Sequence, residues 1–154
     1  MVGGWKVNTI LSRVSGTPLT ITGNNSFLNA SGSTQLADVV PGANRRLGGN
    51  VSGGRQYLNP AAYIDPSKVT TIPRFGDSGR NSIRGPGFFD LDASLKRTFP
   101  IHDTIAIDFV ADSFDVTNTP QFANPAVNAS AGGFGVITSS NANRTLRLSG
   151  RISF

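Results

Sequence analysis

Four stretches of the chain alternate apolar and polar residues with period two, the pattern of a strand with one apolar and one polar face. Phe89, Leu91, Ala93, Leu95 and Phe99 share one parity, interrupted by Arg97, while Asp90, Asp92, Ser94, Lys96 and Thr98 hold the other. From Thr104 the pattern resumes, with Ile105, Ile107, Phe109 and Ala111 against Ala106, Asp108, Val110 and Asp112. Pro100, Ile101, His102 and Asp103 make a short connection, so these two stretches predict a hairpin. At the C-terminus Leu146, Leu148, Gly150, Ile152 and Phe154 alternate with Thr145, Arg147, Ser149, Arg151 and Ser153. Near the N-terminus Trp5, Val7, Thr9 and Leu11 alternate less perfectly with Lys6, Asn8, Ile10 and Ser12, running on towards Pro18-Leu19-Thr20-Ile21. The expected strands cover about 5–21, 88–99, 104–116 and 144–154.

The connections are unequal. Segments 23–87 and 118–143 are long, polar and rich in Gly, Pro and Asn, and the turn at 100–103 is short. A compact soluble domain rarely carries so long a structureless stretch, because most of its connections run about 4 to 6 residues. Transmembrane barrels combine strands of about 9 to 11 residues with short turns on one side and long loops on the other. The same alternation also describes a soluble antiparallel sheet with one face in water. Periodicity alone therefore leaves both readings open, and loop asymmetry favours the barrel.

Composition supports an all-β chain. All nine acids are Asp, Glu is absent and lysine occurs only at positions 6, 68 and 96, so strong helix formers are scarce. With no cysteine, disulfide scaffolds, thiolate zinc sites and cysteine nucleophiles are excluded. The net charge of +5 raises the question of nucleic acid, but the arginines are scattered, Arg45-Arg46 is their longest run, and no RNA-binding aromatic motif accompanies them.

Several strings resemble one family. Gly79-Arg80-Asn81-Ser82-Ile83-Arg84-Gly85-Pro86-Gly87-Phe88-Phe89-Asp90-Leu91-Asp92-Ala93-Ser94-Leu95 is similar to the segment preceding the last strands of Oar-like TonB-dependent receptors. Phe114-Asp115-Val116-Thr117-Asn118-Thr119-Pro120-Gln121-Phe122-Ala123-Asn124-Pro125 resembles a second signature of that family, with Asp115 in place of its usual Asn. Phe134-Gly135-Val136-Ile137-Thr138 and Arg151-Ile152-Ser153-Phe154 resemble two more, and Gly3-Gly4-Trp5, Ser15-Gly16-Thr17-Pro18-Leu19-Thr20 and Asn59-Pro60-Ala61-Ala62-Tyr63 fit the same template. The resemblance runs in order from Trp5 to Phe154. It implies antiparallel strands of an incomplete transmembrane β-barrel with long extracellular loops, in the outer membrane of a Gram-negative cell. The function implied is ligand uptake, performed only as part of a whole receptor.

The chain shows no signal peptide, plug or TonB box and is expected to be the C-terminal part of a longer receptor. Four strands cannot close a barrel when about eight is the smallest number that does. The implied partners are outer-membrane lipid, the barrel-assembly machinery, the remaining strands and plug, and TonB through the N-terminal part alone. Nucleic acid and cofactors are not among them. Phe154 resembles the terminal aromatic that this machinery reads. The alternative is a secreted soluble β-domain acting as an adhesin or carbohydrate-binding module. Catalytic and metal-binding residues are not expected: His102 stands alone in a turn, and Asp90 and Asp92 lie two apart on one strand without Glu. The Gly-rich strings 84–87 and 132–135 lead into strand or loop and read as turns, not phosphate cradles.

Residues Leu91, Ala93, Leu95, Ile105, Ile107, Phe109, Leu146, Leu148 and Ile152 are expected to face lipid. The opposite face carries a charge ladder. A symmetric turn at 100–103 sets Lys96 opposite Asp108 and Asp92 opposite Asp112, and levelling the final strand with its neighbour sets Asp108 opposite Arg151 and Asp112 opposite Arg147.

Overall fold

A computed structural model describes residues 3–141 and 143–154, and these divide into two compact units. The first comprises the described residues of 1–14, 88–121 and 141–154. It is one antiparallel sheet of four long strands, Trp5–Val14, Phe88–His102, Ile105–Phe114 and Thr145–Ser153, neighbours in that order. Residues directly opposite share a face, so Val7, Leu95, Ala111 and Leu148 form one cross-strand row and Asn8, Ser94, Asp112 and Arg147 the next.

The hairpin differs from the expected symmetric turn. The second long strand continues through Pro100 to His102, and only Asp103 and Thr104 turn. A bulge between Pro100 and His102 leaves Ile101 without a partner. Pro100 lies beyond the Trp5 and Arg97 pair, where the pairing of the first two long strands ends among the described residues. The shorter turn and the bulge move the register by two: Ser94 lies opposite Asp112 and Thr98 opposite Asp108. Lys96 therefore faces Val110, and the expected opposition of Asp92 and Asp112 does not form. A shift of two preserves faces, because the side-chain period is two. The third long strand ends where Asp115 takes a left-handed conformation, φ 49°, instead of running on to 116.

The second unit, residues 15–87 and 122–140, overturns the expectation of irregular loops at 23–87 and 118–143 and of a first strand reaching residue 21. It has a core of its own, formed by Leu19, Ile21, Ala37, Leu58, Ala62, Tyr63, Ile83 and Phe134. The elements are very short. Pro18–Leu19 pairs with Ile83–Arg84, Asp38–Val39 with Tyr63–Ile64, and Gly54–Gln56 with both Asn50–Val51 and Val136–Ile137. Asn24, Asn59 and Asp65 each accept the backbone N–H two residues on and so start the helical turns Asn25–Leu28, Pro60–Ala62 and Pro66–Lys68. The Asn, Asp and Pro content that reads as loop in sequence thus supplies caps.

Backbone bonds tie the two segments together: the Thr22 N–H donates to the Val127 carbonyl at 2.9 Å, and the Tyr57 N–H donates to the Gly135 carbonyl at 2.8 Å. Gly135 has φ 76°, and a Cβ there would lie 2.6 Å from the Leu58 carbonyl oxygen, so the position requires glycine. Phe134 beside it packs edge-to-face on Tyr63, with ring centroids 5.8 Å apart. Buried Gln35 donates from Nε2 to the Arg74 carbonyl and accepts from the N–H of Gly76, closing residues 35–37 against 74–78. Arg74 grips Asp38 through two guanidinium nitrogens.

Candidate functional site

The sheet places its side chains on two contrasting faces. One carries Val7, Leu11, Phe89, Leu91, Ala93, Leu95, Phe99, Ile105, Ile107, Phe109, Leu146, Leu148 and Ile152, which include all nine residues expected to face lipid. These side chains find no core within the described sheet: Leu148 is 74% and Leu146 68% exposed. Burying such side chains is worth about 1.5 to 3 kcal/mol each, so the face is built for an apolar surrounding that the sheet does not itself provide.

On the other face the ladder is partly assembled. Asp112 lies opposite Arg147 and Asp108 opposite Arg151, as the levelled final strand requires. On its other side Asp112 accepts a hydrogen bond from Ser94 Oγ at 2.6 Å, and Asp108 accepts one from Thr98 Oγ1. Lys96 reaches Asp108 diagonally, with Nζ to Oδ2 at 3.2 Å, although it is not directly opposite. Its own cross-strand neighbour is Lys6, and that like-charge opposition favours the diagonal reach. Arg147 lies over the Phe114 ring, 5.2 Å from its centroid. Asp92 stands apart from the ladder, accepting the Asp115 N–H at 2.9 Å and so fixing the turn that ends the third long strand. Asp115 in turn accepts from Thr117 Oγ1 and the Thr119 N–H, an Asx-type closure.

One grouping escaped the sequence reading, although its signal was visible as the break in apolar parity at Arg97. Arg97 is directly opposite Trp5, its guanidinium lies 5.2 Å from the Trp5 ring and 4.7 Å from Phe99, and these two rings meet edge-to-face at 6.5 Å. Phe154 follows the final strand and is 98% exposed.

The second unit contains a cleft of about 430 Å³ lined in part by Tyr63, Asp65, Lys68 and Phe134. Burial pushes the Asp65 carboxyl up, but hydrogen bonds from Ser130 Oγ at 2.5 Å and from the Ser67 N–H at 3.1 Å outweigh it and hold the group below the usual carboxylate range. Burial raises the Tyr63 hydroxyl, against the opposing pull of Arg45 and Arg46. Among the described residues no three His, Cys, Asp or Glu side chains gather where they could hold a metal. His102 is exposed near the end of its strand. No described helix is long and apolar enough to cross a membrane.

A family model described as an outer membrane beta barrel domain matches residues 1–147. No curated protein and no solved structure matches the chain.

Proposed function

Because this chain belongs to the family of outer membrane beta-barrel domains, we propose that its four long strands are the closing strands of a TonB-dependent, Oar-like receptor barrel, working in ligand uptake only within the whole receptor. The observation that carries the membrane role is the continuous apolar face across four neighbouring strands, unburied within the sheet and backed by a charged and hydroxylated face. The receptor assignment is supported by the ordered series of family-like strings, several of which fall at structural knots. Gly135 lets two backbones meet, Asn59 caps a turn and Asp115 ends a strand.

In this reading the charged face with Asp108, Asp112, Arg147 and Arg151 lines the lumen, the two-residue turn lies on the periplasmic side, and the second unit is exposed to the outside. Phe154 is the mark read by the barrel-assembly machinery. An edge strand in lipid leaves N–H and C=O groups unpaired at a cost of several kcal/mol each, so both outer edges of this sheet require further strands.

The upstream coding DNA tests the assignment. It should continue in frame into more strands and a plug, and an in-frame stop codon just before Met1 overturns it. Protease added to intact cells should cut first within 15–87 or 122–140. Cleavage only after the outer membrane is permeabilised reverses the proposed orientation.

A further inference from the structure

Charge on the apolar face is confined to its two ends. Between Phe99 and Val14 the charged side chains on that face are Arg97, near the hairpin, and Arg13, opposite Phe89 at the far end. No carboxylate shares the face, and the ion pairs among the described residues, Arg74 with Asp38 and Lys96 with Asp108, involve neither arginine. The two arginine levels lie eight residues apart along the second strand, or about 26 Å at ~3.3 Å per residue. At the usual barrel tilt of about 35 to 45° this becomes ~20 Å of depth, and outward-reaching arginine side chains extend it to the ~25 Å apolar band of an outer-membrane barrel.

We infer that Arg97 and Arg13 are anchors for the phosphates of anionic lipid headgroups, one at each rim of the membrane-facing surface. At Arg97 the guanidinium lies over the Trp5 and Phe99 rings, and its N–H groups are of the kind that bind phosphate bidentately. A lipid phosphate supplies the counter-charge that the protein does not place on this face. The inference rests on the membrane-facing reading of the sheet and adds a lipid preference to it.

The whole barrel that these strands help to close is diluted from detergent into vesicles of phosphatidylcholine alone, or of phosphatidylcholine with phosphatidylglycerol, and partitioning is read from the barrel recovered with the floated vesicles. Wild type should enter both and favour the anionic vesicles. Arg97→Gln should lose about fivefold of its partitioning into anionic vesicles, the effect of one basic residue near an anionic surface, with little change in phosphatidylcholine. Arg80→Gln removes the same charge from an exposed position in the second unit and should change little. Equal losses for Arg97→Gln and Arg80→Gln, or no anionic preference in wild type, overturn the anchor while leaving the membrane reading intact. Failure of wild type to enter phosphatidylcholine vesicles overturns both. If Arg97→Gln loses its strand signal in circular dichroism, Arg13→Gln makes the same comparison at the other rim.

Discussion

In the unit formed by 15–87 and 122–140, Ile21, Leu58 and Ala62 are completely buried, yet few residues there alternate and no strand exceeds three residues. In the sheet the alternation is long and regular, and its large apolar side chains are exposed or half-buried. Regular alternation therefore marks the surface that needs an outside partner, whereas irregular sequence builds the part that buries its own core. Hydrophobic burial needs only area removed from water and sets no period. A two-sided strand in a barrel must keep one parity apolar along its whole length.

This contrast can be broken from either side. The largest expected effect is in the second unit: Leu58→Ala should destabilise it by about 2 to 5 kcal/mol, seen as faster proteolysis within 15–87, with the strand signal of the sheet preserved. Equal loss in both units would erase the distinction. In the sheet, Ala93→Arg near mid-band should reduce outer-membrane assembly of the full barrel at a cost of about 2 to 4 kcal/mol, and Ile152→Arg, beyond the Arg97 level, should cost ~0 to 1 kcal/mol. Equal tolerance of both in an assembly assay would show that this face does not meet lipid.

A smaller effect concerns pH. The Asp65 carboxyl is held below its unfolded value of about 3.9, so its stabilisation is complete above that value and is lost as pH falls through the lower, folded one. Thermal melts of the second unit should therefore drop on acidification below about pH 4, and Asp65→Asn should flatten that drop. An identical acid profile in the variant would remove Asp65 as the cause. Smallest of all, a double-mutant cycle between Asp112 and Arg147 should give a coupling of about 0.2 to 1 kcal/mol, since Arg147 also leans on Phe114 and Asp112 is already held by Ser94. Coupling well above that range would mean a closed ion pair.

Strand identity and the sorting of side chains between faces were readable in the chain itself, because a period of two survives any even change of register. The opposition of Asp112 with Arg147 and of Asp108 with Arg151 was readable too, from the length match of the last two long strands. Three features depended on the tertiary structure. The partners of Lys96 and Asp92 were set by the unpaired Ile101 and a two-residue turn, a local choice that no repeat in the sequence encodes. The aromatic cradle of Arg97 needed Trp5, far away in sequence, to fall directly opposite it. The core around Leu58 and Phe134 arose from apolar residues scattered over two segments and joined where Gly135 lets the backbones touch, a contact that only three-dimensional packing brings together.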